Sequence, residues 1–397
     1  AALTATISAA RADDAVARGR YLAVLGDCAG CHTTPHGPAF AGGLPFSASF
    51  GTLYSSNITP DKQTGIGNWT ADQFYRALHE GVAPGGRRLY PAFPYFYFTL
   101  LSRTDSDALF AFLKAQKPVH STPPANQLHF PFNFRVVMVF WNWLFLQEGP
   151  YKPDPAKSLA WNRGAFIVNG LGHCAACHTP KNILFGDETS KSLTGAVEEE
   201  WFSANLTGNP HGGLGKWSRA DIVRYLATGI NKYATAAGTM QEKVSSSTSH
   251  MSDADRNAIA VYLKSLPGKG TQHAEKPEPE VMHHGAAIFV ATCQECHQAP
   301  GTPDMPGTNL PVYPKLAGDT LVVGRDPTTV VRIILEGASS PTTPNAPNTF
   351  SMPGFAALSD SDIAAVATYV RNSWGNSAPP VAKEQVTTLR DNIMVRY

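Results

Sequence analysis

The sequence predicts an all-α protein made of three tandem copies of one small helical unit, and three observations carry the prediction. All six cysteines fall in three copies of one pentapeptide: Cys28-Ala-Gly-Cys31-His32, Cys174-Ala-Ala-Cys177-His178 and Cys293-Gln-Glu-Cys296-His297. The same succession of helix signals recurs around each copy. Finally, 31 prolines and 34 glycines among 397 residues divide the chain into short helices separated by many loops.

Each unit opens with a helix that carries a glycine near its start: RGRYLAVLGD from Arg18, RGAFIVNGLGH from Arg163 and HGAAIFVAT from His284. The pentapeptide follows, then a loop, then a second helix. In the first two units that helix begins in GIGNWTADQ and GLGKWSRAD, where Thr70 and Ser218 are N-caps with Gln73 and Asp221 three residues on. The strings YRALHEG, VRYLATG and VRIILEG align Arg76 with Arg224 and Arg332, and end on Gly81, Gly229 and Gly337, which suit a left-handed C-cap. A third helix opens on Ser102, Ser252 and Ser359, each with an aspartate three residues later. Its apolar face centres on Phe112, Tyr262 and Tyr369. GIGNWT and GLGKWS also look like fragments of glycine-rich nucleotide loops, but no strand precedes them and the spacing fails at Trp217.

The pentapeptide decides the chemistry. A disulfide framework has no use for a histidine after each pair, and a thioredoxin-like centre would come with a βαβ pattern that is missing. Zinc would need a fourth ligand and would bring two half-sites close in sequence, whereas these lie more than a hundred residues apart. What remains is covalent c-type haem attachment. Two thiols on one helical turn reach the two vinyl groups of a porphyrin, and the next residue places an imidazole under the iron. The expected attachment residues are Cys28, Cys31, His32, Cys174, Cys177, His178, Cys293, Cys296 and His297, holding three haems c. A first helix with a close-packing glycine, a haem-binding turn and an aromatic-rich last helix make a class I cytochrome c domain, so the expected architecture is three of these in tandem. The expected boundaries are 13–123, 161–268 and 282–376. Between and around them lie an N-terminal signal tail or tether at 1–12, an aromatic-rich linker at 124–160, a linker at 269–281 and a C-terminal tail at 377–397.

A haem that carries electrons takes a second axial ligand, and a soft methionine sulfur raises its potential. Met240 and Met352 follow Gly229 and Gly337 at comparable spacing and are the expected second ligands of the second and third haems. Their rivals, Met251 and Met305, begin the last helix and precede the second one, and fit less well. The first unit has Phe93 in the slot: Ala92-Phe93-Pro94 matches Ser351-Met352-Pro353. Phenylalanine cannot bind iron. Tyr95, Tyr97, His79 and His36 are the nearby alternatives, with His79, His36 and also His129 reading first as surface or loop residues, and this ligand stays unassigned.

Net charge is +1, from 32 basic and 31 acidic residues, which gives no basic footprint for nucleic acid. The N-terminus ends its small apolar run in Ala10-Arg11-Ala12, as the tail of a secretory signal does, and an ordinary first helix is the alternative. No apolar run is long enough to span a bilayer. From Phe134 to Leu146 only Arg135 and Asn142 are polar, and they share one helical stripe. That stretch is either a helix packed between domains or a surface for membrane or subunit docking. The sequons at Asn57 and Asn205 recur at matching places in two units and read as loop-shaping residues rather than glycan sites.

The stretches GDCAGCHTTPHGPAFAGG, SSNITPDKQTGIGNWTADQFYRALHEGV, LYPAFPY and WNRGAFIVNGLGHCAACHTPKN, with the three haem motifs, resemble the triheme cytochrome c subunit of bacterial membrane-bound periplasmic dehydrogenases over nearly the full chain. The resemblance implies an electron-transfer subunit and not an enzyme. It would sit on the outer face of the cytoplasmic membrane, against the membrane surface, and pass electrons from a catalytic dehydrogenase subunit to ubiquinone. Phe93 resembles the branch that travels with molybdopterin aldehyde dehydrogenases and their 2Fe-2S subunit. A PQQ or FAD alcohol or sugar dehydrogenase is the alternative donor. A different class of function, a haem enzyme using an open first haem to bind peroxide or another small ligand, is separated from it by that same slot.

Overall fold

The computed structural model describes residues 2–48, 50–270, 275–297, 311, 313–348 and 350–394, and of residues 2–12 and 394 the backbone alone. Contacts divide the chain into two compact units, residues 1–176 and 177–397.

The first unit begins with α1 (Ala2–Leu25), so residues 2–12, expected as a signal tail or tether, continue the backbone of the first helix. α1 ends at Gly26 and Asp27 and gives way to the short haem-motif helix α2 (Cys28–His32). A hairpin follows, β1 (Pro45–Ala48) against β2 (Gly51–Tyr54), later joined by β5 (Gln127–Leu128). The capping box expected from sequence forms at α3 (Ala71–Glu80): Thr70 accepts from Gln73 N–H, Gln73 accepts in return, and Gly81 closes the helix at φ 63°. A tight turn pairs β3 (Val82–Ala83) with β4 (Arg87–Arg88), and α4 (Tyr95–Phe98) leads into α5 (Arg103–Lys114). α1 packs across α5 where Gly19 lies: a Cβ there would drive into the carbonyl oxygen of Ala108, so only glycine permits this approach.

α6 (Val137–Phe145) departs from an ordinary amphipathic helix. Its polar residue Asn142 is buried with Met138 and Trp141 against Tyr95, while Phe140 and Trp143 are 66% and 82% exposed. Asn142 accepts from the Tyr95 hydroxyl at 2.5 Å and donates to the Glu80 carbonyl at 3.1 Å. Asn142 therefore faces inward with Met138 and Trp141, while Val139, Phe140, Trp143 and Leu144 face outward. The inner face requires hydrogen bonding, and Asn142 supplies it. The unit ends with α7 (Leu159–Phe166) and a π-helical turn at Ile167–Leu171.

The chain passes through α8 (Cys174–His178) into the second unit. This holds the hairpin β6 (Ala196–Glu198) and β7 (Trp201–Ser203), then α9 (Arg219–Thr228), α10 (Thr239–Ser246) and α11 (Asp253–Ser265). It continues with α12 (Pro279–Ile288), a π turn at Phe289–Cys293, α13 (Thr328–Glu336), the pair β8 (Ala338–Ser339) and β9 (Ser351–Met352), α14 (Asp360–Asn372) and α15 (Lys383–Met394). α12 crosses α14 as α1 crosses α5, with Gly285 against the Ala365 carbonyl. Ser218 with Asp221 and Ser359 with Asp362 form capping boxes. Gly229 takes the left-handed cap at φ 74°, but Gly337 sits at φ 81°, ψ −178°, an extended turn that feeds β8 rather than a left-handed cap.

The second and third sequence repeats share this unit. Phe202 N–H donates to Thr329 Oγ1 at 2.7 Å, the Trp217 indole donates to Thr320 Oγ1 at 3.1 Å, and the Arg332 guanidinium lies 4.3 Å over the Trp201 ring. The residues expected as a C-terminal tail form α15, which buries Val386, Leu389 and Ile393 in the core built on α14 and pairs Arg390 with Asp360. No helix among the described residues is long and apolar enough to cross a membrane.

Candidate haem site

The first pentapeptide opens onto a cavity of about 410 Å³. Cys28, Cys31 and His32 line one side, and Phe93 lines it with Ala92 and Pro94. Much of the remaining wall is apolar, including Leu78, Phe98, Leu101 and Leu109. Its size falls within the range of enclosed ligand sites. None of the six cysteines in the chain is joined in a disulfide.

The histidines of the three motifs share one arrangement. The Nδ1–H of His32 donates to the Ser56 carbonyl at 2.7 Å, that of His178 to the Ala204 carbonyl at 2.6 Å, and that of His297 to the Pro314 carbonyl at 3.1 Å. A carbonyl can only accept, so the tautomer is fixed and Nε2 keeps its lone pair. Burial pushes all three imidazoles below the usual histidine range, and the carbonyl bond offsets this only in part, which favours the neutral, metal-binding form. A fixed ring with a free Nε2 is what an axial iron ligand requires.

Two of the accepting carbonyls are set by the sequon loops. Asn57 Oδ1 accepts from Thr59 N–H at 2.9 Å and from its hydroxyl at 2.7 Å, while Nδ2 donates to the Val119 carbonyl at 2.8 Å. Asn205 repeats this with Thr207 and the Lys269 carbonyl. Both asparagines are buried, so they shape the loop that presents residue 56 or 204 to the histidine. These carbonyls were not found from sequence; the matching strings Ser55-Ser56-Asn57 and Ser203-Ala204-Asn205 were the available signal.

The donor set fits haem c: paired thiols, a neutral imidazole whose other nitrogen is spoken for and, at the first site, an apolar cavity beside them. Among the described residues no three His, Cys, Asp or Glu side chains gather at one metal position, so a zinc site built from the pairs finds no third ligand. Haem c supplies a one-electron iron couple; the protein supplies attachment, ring orientation and exclusion of water.

The side chains weighed as second ligands divide clearly. Met240 is half-buried in the first turn of α10, and Met352 is half-buried in β9, paired with Ala338. Met251 is a core residue, and Met305 lies outside the described residues. His79, read as a surface residue, is buried: Nδ1 faces the Tyr75 carbonyl at 3.0 Å and Nε2 the Leu101 carbonyl at 2.8 Å, which holds the ring between α3 and the start of α5. Tyr95 is fully buried with its hydroxyl given to Asn142, and neither it nor Tyr97, His36 or His129 lines the cavity. Tyr90 does line it, but its hydroxyl donates to the Phe132 carbonyl at 2.8 Å. Phe93 packs against Phe98, with ring centroids 5.4 Å apart. Four further residues on the wall carry charge or an imidazole and were not predicted to belong there: Asp27, Arg87, Arg135 and His173.

A family model for cytochrome c matches residues 162–267 and 282–374. A nicotinate dehydrogenase subunit of Pseudomonas putida is 42% identical over 374 residues, which is 91% of this chain and 30% of that protein, so this chain spans under a third of its length. The fructose dehydrogenase cytochrome subunit of Gluconobacter japonicus is 37% identical over 94% of this chain and 82% of its own length. The alcohol dehydrogenase (quinone) cytochrome c subunit of Gluconobacter oxydans is 36% identical over 98% and 85%. The chain belongs to the cytochrome c family, and with its covalently bound haem c it transfers electrons rather than acting as a catalytic subunit.

Proposed function

We propose that the chain carries three haems c, one at each pentapeptide, in three tandem class I cytochrome c domains, and conducts electrons from a separate dehydrogenase subunit to ubiquinone. The observation that carries this reading is the recurrence, at all three motifs, of a histidine whose Nδ1–H is fixed on a backbone carbonyl. Met240 and Met352 complete the second and third irons. The relatives are named as subunits of dehydrogenases, which supports a catalytic partner for this chain as well.

The donor we infer is a molybdopterin dehydrogenase with a 2Fe-2S subunit. Phe93, where other branches of the resembling family have methionine, supports this. The location is the periplasmic face of the cytoplasmic membrane, held peripherally, and the outward aromatic face of α6 supports contact with lipid.

The test is purification from detergent-solubilised membranes, followed by mass spectrometry of what stays bound and by haem stoichiometry from the pyridine haemochrome. Three haems per chain with a molybdenum-cofactor subunit and an iron–sulfur subunit are expected. A quinoprotein or flavoprotein in their place would leave the wire and overturn the donor; fewer than three haems would overturn the triheme reading.

One observation favours a second reading, in which the first haem binds a small ligand: the described residues that line the first cavity include Phe93 and no methionine. Carbon monoxide added to the reduced protein decides it, since an unchanged spectrum removes that reading.

A further inference from the structure

The cavity beside His32 carries two positive charges that no carboxylate among the described residues meets in an ion pair. Arg87, in β4, and Arg135, two residues before α6, come from distant stretches of chain and both line it. Arg135 is held in place from two sides: its Nη1–H donates to the Arg88 carbonyl at 2.6 Å, and its guanidinium lies 4.6 Å from the centroid of the Tyr90 ring. Arg87 is set by the β3–β4 pairing, where it stands opposite Ala83 beyond the turn at Gly85 and Gly86. Crowding by protein, then the charge of Arg135, press the Arg87 guanidinium below its ordinary range. Arg76 and Arg103 nearby, by contrast, both form ion pairs. Asp27 is the acidic residue on this wall, and no ion pair joins it to either arginine.

Arg87 is exposed and Arg135 half-buried, and two like charges on one cavity wall repel each other unless an anion comes between them. The segments of the other two repeats that match the Arg87 hairpin lack such a cation. Between Gly229 and Met240 the one cation is Lys232, which pairs with Asp221, and between Gly337 and Met352 there is none. A haem brings two carboxylates, its propionates, and guanidinium is the side chain shaped to take them. We propose that Arg87 and Arg135 bind the two carboxylates of the haem attached at Cys28 and Cys31, fixing its orientation in the cavity and holding its reduction potential up where Phe93 supplies no sulfur. The physical reason is charge. Reduction adds an electron to the iron, and cations that neutralise the carboxylates make that step easier. This inference rests on the reading of the first pentapeptide as a haem site.

The test is a redox titration of the full haem-loaded chain, following haem absorbance and resolving its components. Arg87→Gln and Arg135→Gln are each expected to shift the reduction equilibrium of one component about tenfold towards the oxidised form, which is about 59 mV for a one-electron couple. The other components stay in place. Arg135→Lys recovers part of the shift, because it keeps the charge and loses the planar fork. Arg88→Gln is the control: it removes a charge from the same hairpin while its side chain is off the cavity wall, and the expected shift is under twofold. If all components stay within twofold in both glutamine variants with haem content unchanged, the arginine assignment is wrong. An equal shift from Arg88→Gln also defeats it, because diffuse charge would then suffice. Peptide mass spectrometry of the unmodified chain separates the two failures: no haem on the peptide holding Cys28 and Cys31 overturns the haem reading itself.

Discussion

His178 gives its Nδ1 proton to Ala204 at 2.6 Å, and Ala204 immediately precedes the buried Asn205 that ties its loop together. His32, Ser56 and Asn57 repeat the relationship in the first unit. The haem-side tautomer is thus set by a backbone carbonyl, and the carbonyl by an asparagine one residue on. Replacing Asn57 with alanine strands the Thr59 amide inside the protein, while the Val119 carbonyl keeps the Thr59 hydroxyl at 3.2 Å. Leaving a buried polar group unmet costs about 1–3 kcal/mol, so Asn57→Ala is expected to lose about 1–3 kcal/mol, read from the urea midpoint with the slope unchanged. A loss below about 0.5 kcal/mol would mean that the loop holds its shape without the side chain.

Phe93→Met restores to the first unit the residue that the other two have in this slot. Phe93 already lines the cavity that the pentapeptide also lines, and methionine is flexible and similar in volume, so the change is expected to cost under about 1.5 kcal/mol in stability. With haem attached, a thioether on that side favours the ferrous state. The expected result is a higher potential for one redox component and a reduced protein that no longer responds to carbon monoxide. An unchanged potential together with an unchanged carbon monoxide response would show that position 93 does not face the iron.

Asp319 is buried between the second and third repeats, where burial pushes its carboxyl up to about 7 against the weaker pull of the Leu321 and Val322 amides. In the unfolded chain the same group titrates near about 3.9. Between about pH 4 and pH 7 the folded protein therefore keeps a proton that the unfolded chain has released. Stability contributed by this group falls as pH rises through that window and levels off above it. Asp319→Asn keeps an amide-accepting oxygen and removes the titration. Variant and parent are expected to melt together near pH 4, with the variant several degrees higher at pH 8, since each pKa unit is worth about 1.4 kcal/mol. A melting difference that stays flat across the range would show that Asp319 ionises freely in the fold.

Much of this protein is legible in its sequence because short local rules govern it. The N-caps at Thr70, Ser218, Ser102, Ser252 and Ser359 form where the Ser/Thr-to-acid or amide spacing puts them. Gly19 and Gly285 mark helix crossings for the same reason in both units. What was hidden depends on long-range placement. His79 looks like a surface histidine on an exposed string, yet the Leu101 carbonyl, far along the chain, captures its second nitrogen. Arg135 reads as one polar residue in an apolar run, and only the fold brings it to the first cavity beside Arg87. The tail beyond Ser377 has no strong amphipathic signal, and α15 docks through three apolar residues and one ion pair.

The outward face of α6 yields the last prediction. From Val136 to Gln147 no residue is charged, and Asn142, the most polar side chain of the helix, is turned inward to Tyr95 and Glu80. Phe140 and Trp143 are left in water on the outer side, an arrangement that is unfavourable in solution and suits an interface where aromatic rings meet lipid headgroups. Each large apolar side chain transferred from water is worth about 1.5–3 kcal/mol, and 1.4 kcal/mol is tenfold in an equilibrium. The double variant Phe140→Ser with Trp143→Ser is therefore expected to bind neutral phosphatidylcholine vesicles at least about a hundredfold more weakly in a sedimentation assay. Thermal stability should change little, because neither ring is packed. Equal binding by both proteins would assign this face to a protein partner rather than to lipid, and a large loss of stability would mean that the rings are covered in solution.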